Sequence, residues 1–86
     1  MLRDGKLQEG IRMADIRVKS EISGSVWKIL KNPGEAVAAE EDLLLLESMK
    51  MEIPVAAPRA GTVQEVLFAE GEAVAEGDVL LVIRTA

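Results

Sequence analysis

Gly24-Ser25-Val26-Trp27-Lys28-Ile29-Leu30, followed by Gly34-Glu35-Ala36-Val37, returns later in the chain. The second copy reads Gly61-Thr62-Val63-Gln64-Glu65-Val66-Leu67, followed by Gly71-Glu72-Ala73-Val74, at an offset of 37 residues throughout. Further on, Asp42-Leu43-Leu44-Leu45-Leu46 reads against Asp78-Val79-Leu80-Leu81-Val82 at an offset of 36, as though the first half held one extra residue after Val37. Two copies of a unit of roughly 25 residues are too few for a solenoid, which needs about three. A closed pair of β-units related by a pseudo-twofold axis fits them better.

The units read as strands. Their segments are short, rich in Val, Ile and Leu, and punctuated by Gly, Pro, Asn and Asp. Strands are expected over residues 16–22, 25–30, 36–38, 43–48, 52–56, 62–67, 73–75 and 79–84. Asn32-Pro33-Gly34 and Glu70-Gly71 read as matching turns, and Glu76-Gly77-Asp78 as a third. Its counterpart, Glu40-Glu41-Asp42, has no glycine, and the extra residue is expected to relieve the backbone there. Val26/Ile29 and Val63/Val66 are each spaced by three, which breaks strict alternation. A β-bulge in each half would turn both members of each pair to the core. The unbroken Leu43–Leu46 run suits a strand covered on both faces. The expected architecture is therefore all-β, a flattened antiparallel barrel or sandwich. With Trp27 and Phe68 the only aromatic residues, the core falls to Val, Leu, Ile and Ala. Trp27 is matched in the repeat by Gln64, so partial exposure at an edge is expected of it.

Eighty-six residues make one domain, and a chain of this size buries only about 60% of its unfolded surface. Little room remains for a deep pocket. There is no cysteine, histidine or tyrosine. Disulfides, thiolate metal sites, the usual general base and the commonest metal ligand are thereby excluded. Glu40-Glu41-Asp42 lacks the ligand-spaced loop of a hard-cation site and reads as a solvated turn. No catalytic residues and no metal are expected. The net charge of −5 disfavours nucleic acid and anionic membranes as partners. Apolar runs such as Leu43–Leu46 are far too short to cross a bilayer as a helix, and a cytoplasmic location is expected. Residues 1–12 are polar, show no strand pattern and are expected to be a disordered extension or a non-native remnant, with the domain over 13–86.

At the junction of the two halves stands Glu47-Ser48-Met49-Lys50-Met51-Glu52. With strands on either side, Met49-Lys50 falls at the centre of a tight hairpin, where Asn-Gly is normally favoured. Such a departure from turn chemistry is expected at a functional position. The hairpin would project Lys50 into solvent, and its register is fixed by the flanking strands. A lysine suits a tether, because its amine forms a stable amide at the end of four methylenes. An ordinary lysine amine, titrating near about 10.4, is mostly protonated at neutral pH. A separate enzyme must therefore bring an activated acyl donor and a base. Met49 and Met51, apolar and adaptable, suit recognition by that enzyme.

Together with Ile53-Pro54-Val55-Ala56-Ala57-Pro58-Arg59-Ala60-Gly61, this motif resembles the biotinyl domain of biotin-dependent carboxylases. The resemblance covers roughly residues 16–84. It implies a flattened β-barrel of two four-stranded antiparallel sheets with the modified lysine at a hairpin tip. It implies biotin as the cofactor, joined by an amide to Lys50, with Glu47, Ser48, Met49, Met51 and Glu52 read by a biotin–protein ligase that uses ATP. It further implies biotin carboxylase and carboxyltransferase as partners. The first carboxylates the biotin ring and the second passes the carboxylate to an acceptor, as in acetyl-CoA carboxylase or a related enzyme. The chain would be a carrier component, not itself a catalyst. The family most often has Ala at the position of Ser48, a modest change expected to be tolerated. No insertion forms the protruding thumb of some bacterial carriers.

The alternative is a lipoyl carrier domain of an oxo-acid dehydrogenase complex, which shares fold, repeat and hairpin lysine. Lipoyl domains usually place Asp before the lysine and Ala after it, and Met49 and Met51 argue against that. An unmodified β-domain acting only in assembly is a third reading. Met49 and Met51 would both turn inward only if the segment ran straight as a strand.

Overall fold

The computed structural model describes residues 14–85. The expectation for residues 1–12 lies outside them. Eight strands follow in order: β1 Ala14–Lys19, β2 Gly24–Ile29, β3 Ala36–Val37, β4 Asp42–Ser48, β5 Met51–Ala56, β6 Gly61–Val66, β7 Ala73–Val74 and β8 Val79–Thr85. They form two four-stranded antiparallel sheets, one ordered β1-β8-β6-β3 and the other β5-β4-β2-β7. The chain changes sheet at every connection except one, the two-residue link between β4 and β5. That link holds Lys50.

Every expected strand is present, seven of them within about a residue at either end. The first is displaced. Residues 16–22 were expected and Ala14–Lys19 is found. The β1–β8 ladder ends where Lys19 meets Val79. Beyond it Ser20 turns inward, its backbone N–H donating to the Asp78 carbonyl and its carbonyl accepting from Gly77 N–H. The Ser20 hydroxyl donates to the Ile22 carbonyl at 2.6 Å. This local bond competes with further ladder pairing and bends the chain toward the second sheet.

The twofold relation is closer than the sequence match implies. β1, β2, β3 and β4 map onto β5, β6, β7 and β8 by adding 37 to every residue number, ends included. The ladders map in the same way, Val26↔Leu46 onto Val63↔Ile83 and Lys28↔Leu45 onto Glu65↔Val82. The offset of 36 after Val37 is therefore incorrect, and the first half holds no extra residue. Leu43 matches Leu80 and Glu40 matches Gly77. Glu40 N–H donates to the Ala57 carbonyl as Gly77 N–H donates to Ser20. Glu40 sits at φ +69°, in the left-handed region that Gly77 occupies at +94°. The strain expected to be relieved is thus borne by a glutamate. The runs of similar apolar residues allowed a one-residue slip in the comparison, because Leu and Val look alike at neighbouring positions.

Both expected bulges are present, at Val26/Lys28 and Val63/Glu65. Val26 and Val63 are buried and Ile29 and Val66 pack against the core beside them. A second pair of irregularities lies between Asp42 and Leu44 and between Val18 and Lys19. The first explains the leucine run. Leu43 and Leu44 both turn inward across it, while Leu45 lies half-buried on the outer face. The strand is therefore one-sided, not covered on both faces as expected. The core joins Val18, Val26, Val37, Leu43, Leu44, Leu46, Ala57, Val63, Val74, Leu80, Leu81 and Ile83. It lies between the sheets and takes no aromatic residue into its fully buried part. Each half also caps the other. Gly34 N–H donates to Val63 and Gly71 N–H to Val26, so neither half closes alone.

Candidate functional site

β4 and β5 are the only consecutive strands that are neighbours in one sheet among the described residues. Their ladder runs to Ser48↔Met51, which leaves Met49 and Lys50 as the whole turn. Both have positive φ, +53° and +64°. Left-handed backbone at both positions makes a type I′ link, one of the two forms that follow the strand twist. For residues with a Cβ that conformation costs roughly 1–2 kcal/mol each. The long ladder of β4 with β5 and β2 holds the turn in place against that cost.

The turn directs its side chains outward. Lys50 is exposed, Met49 is 91% exposed and Met51 63%. The methionines are not core residues. Two large apolar side chains flank the lysine in water, where burial elsewhere would be favoured. One step below, Glu47 pairs directly with Glu52, and neither carboxylate has an ion-pair partner among the described residues. Like charges directly opposite are unfavourable in a ladder. The expected residues Glu47, Ser48, Met49, Lys50, Met51 and Glu52 are thus brought together on one tip.

Ser48 does more than fill its place. It is half-buried, and its hydroxyl donates to the Ser23 carbonyl at 3.1 Å. That bond ties the base of the hairpin to the connection between β1 and β2. Gly24 was not singled out from the sequence as part of the site, yet it shapes the same base. A Cβ there would collide with the Glu47 carbonyl and approach Ser48 Cβ to 3.3 Å. The signal was present in the repeat, where Gly24 and Gly61 begin both copies. Among the described residues no group of three or more His, Cys, Asp or Glu is placed to hold a metal ion. In the acidic turn Glu41 is paired to Lys31 at 2.8 Å.

Chemically, the tip offers one exposed primary amine on a stiff mount, with no general base of its own beside it. It can accept an acyl group and present it, and it has no means of activating one. The half-buried Ser48 and the left-handed turn fix where the amine emerges. The amine itself is free to follow the four methylenes of its side chain.

Comparison with known proteins agrees with this geometry. The model of a family described as "Biotin-requiring enzyme" matches residues 9–83. The chain is 45% identical over 64 residues to the biotin/lipoyl attachment protein of Bacillus subtilis, covering 74% of this chain and 88% of that one. It is 42% identical over 66 residues to the "Biotinylated protein TB7.3 homolog" of Mycobacterium leprae, covering 77% and 93%. Among solved structures it resembles the urea carboxylase of Kluyveromyces lactis, with a TM-score of 0.78 and 33% identity. That match covers 81% of this chain and 6% of the carboxylase.

Proposed function

We propose that this chain, which belongs to the family of biotin/lipoyl attachment domains of biotin-requiring enzymes, carries biotin as an amide on Lys50. It is a carrier, not a catalyst. The observation that carries the site assignment is the two-residue turn in which Met49 and Lys50 both hold left-handed backbone, with both flanking methionines in solvent. A fold gains nothing from such a turn, whereas an enzyme that must reach the amine gains a fixed and uncovered target.

In the joining step the unprotonated Lys50 Nζ attacks the activated carboxyl carbon. The N–C bond forms, the activating group leaves with the electron pair of its own bond, and the amine proton passes to a base on the ligase. Ser48 and the β2–β4 pairing hold the tip while this happens, and Met49 and Met51 give the ligase apolar purchase. Glu47, Ser48 and Glu52 complete the surface that it reads. Bound biotin supplies a ring nitrogen that holds CO2 as a carboxylate. Lys50 then acts as the root of a swinging arm between a biotin carboxylase and a carboxyltransferase. The relatives include urea amidolyase and pyruvate carboxylase, and the acceptor belongs to the partner subunit rather than to this domain. Cytoplasmic placement, beside a soluble ligase and ATP, goes with this reading.

The test offers the wild-type chain to a biotin ligase with biotin and ATP, and in parallel to a lipoate ligase with lipoate and ATP. Intact mass is expected to show one biotinyl adduct and no lipoyl adduct. A lipoyl adduct alone would transfer the chain to the oxo-acid dehydrogenase class. No adduct with either would leave an assembly domain.

A further inference from the structure

The internal twofold supplies a control that the site itself lacks. Each position on the outer face of the Lys50-bearing sheet has a counterpart, 37 residues away, on the outer face of the other sheet. The two faces do the same work in folding, and at Glu47, Trp27 and Pro54 they differ in kind. Glu47 opposite Glu52 corresponds to Arg84 opposite Asp15. The second pair is a salt bridge of 2.9 Å and the first is a like-charge pair. Trp27, 43% exposed, corresponds to Gln64, and the exposed Pro54 to Arg17. On one face the ladder is closed by an ion pair and covered by polar side chains. On the face beneath Lys50 the ion pair is replaced by repulsion, and apolar groups stand in water.

Nothing in folding favours that exchange, since the other sheet shows that the same backbone accepts the stabilising choice. We infer that the outer face of the β5-β4-β2 sheet, centred on Trp27, Glu47 and Glu52, is a docking surface for the enzyme that acylates Lys50. The inference rests on the reading of Lys50 as the attachment point. Geometry selects the acylating enzyme over those that handle the far end of the arm. A group that moves the amine proton must come within about 3 Å of Nζ. The Glu47–Glu52 pair is the second ladder pair below the turn, about 7 Å along the strand from Lys50. Ser25 sits opposite Glu47, and Trp27 lies two residues on along the same strand. A protein surface closing over the tip covers all three, whereas enzymes working at the end of an extended arm stand off by its length. The chemistry of the occupant follows. It carries a cation that enters between Glu47 and Glu52, and beside it an apolar or aromatic contact for Trp27. Lys28 Nζ already stands 5.6 Å over the Trp27 ring, which shows that this indole face accepts a cation.

The test transplants the other sheet's residues. Trp27→Gln and Glu47→Arg each install what the folding-only face carries, and Gln64→Trp makes the reverse change on that face. Ligation kinetics with a biotin ligase, biotin and ATP, and thermal midpoints, are measured for all three and for Trp27→Phe. Trp27→Gln is expected to raise KM for the chain about five- to tenfold and Glu47→Arg more than tenfold, with kcat nearly unchanged. Thermal midpoints are expected to stay level or, for Glu47→Arg, to rise. Trp27→Phe should recover most of the loss, and Gln64→Trp should match wild type. Ligation of Trp27→Gln and Glu47→Arg at wild-type KM overturns the docking surface and leaves the carrier reading intact. A loss of ligation that merely tracks a fall in thermal midpoint also overturns it, by assigning Trp27 to packing. If wild type itself takes up no biotin, the carrier reading fails and the inference falls with it.

Discussion

Met49 and Lys50 spend backbone strain to hold an amine in the open. Relieving that strain is a direct way to weigh presentation against stability. Met49→Gly removes one Cβ from left-handed backbone, and is expected to leave stability level or raise it by up to about 1.5 kcal/mol. It should slow ligation, because an apolar contact at the tip is lost. Met51→Ala should likewise cost recognition rather than stability, since the side chain is mostly in water; a large fall in thermal midpoint would contradict this. Ion pairs elsewhere set the response to pH. The hydrogen bond from Arg84 holds the Asp15 carboxyl below its ordinary 3.8. The Lys31 ammonium and the Ala38 N–H hold Glu41 below 4.5. Both groups are ionised more readily in the folded chain than in the unfolded one. Their contribution is therefore complete above those ordinary values and is lost as pH falls through the lowered folded ones. Lys31, raised above 10.5 by Glu41, contributes below that value and ceases to as pH rises through its folded pKa. Both pairs are exposed, so the effect is small. Asp15→Asn and Glu41→Gln should flatten the acid limb of thermal midpoint against pH between about 3 and 5, and an unchanged limb would contradict the assignment.

Among the elements, the bulges and turns show best what the sequence carries. The spacing of three in Val26/Ile29 and Val63/Val66 was legible as a bulge because only a bulge puts both on one face. The irregularity at Leu43 was not legible, since a run of four leucines gives no period to break. For the same reason the halves could be slid by one residue there, which hid Glu40 as the partner of Gly77. Glu40→Gly is the test of that pairing. Relief of roughly 1–2 kcal/mol of left-handed strain, less roughly 0.5–1 kcal/mol for the freedom of glycine in the unfolded chain, leaves a gain of at most about 1.5 kcal/mol. That corresponds to a rise of at most about 6–12 °C in thermal midpoint for a domain this size, at about 4–8 °C per kcal/mol. An extra inserted residue at this turn would instead make the change neutral or harmful. Gly24→Ala should act in the opposite sense. Its Cβ meets the Glu47 backbone carbonyl, which cannot swing aside as a side chain could, so the cost should be about 1–3 kcal/mol. Hydrogen exchange of the β4 amides near Glu47 should show where the ladder opens.

At the scale of the molecule, the two halves are interleaved rather than joined end to end. Each sheet takes two strands of each half, and each half's glycine turn bonds to the other half's bulged strand. A fragment ending at Lys50 would keep β1 to β4 and none of the strands that lie beside β1 or β3. It is expected to show no cooperative unfolding, whereas the whole chain should unfold in one transition seen alike by Trp27 fluorescence and by circular dichroism. Because most contacts join residues distant in the sequence, folding should fall toward the slow, millisecond-to-second end of the range for small domains. The repeat made this architecture legible in the sequence, and the motif at its centre made the place of Lys50 at the hairpin tip legible. The contrast between the outer faces of the two sheets was not, because Trp27, Glu47 and Glu52 lie apart in the sequence until the ladders set them on one surface. The central claim, that the fold exists to hold one amine at the hairpin tip for acylation, is tested most directly by mass spectrometry after incubation with biotin ligase, biotin and ATP, with Lys50→Arg alongside. One biotinyl adduct on the wild-type chain, located to Lys50 by fragmentation and missing from a folded Lys50→Arg chain, is the result expected. An adduct retained by Lys50→Arg, or located to another lysine, would contradict it.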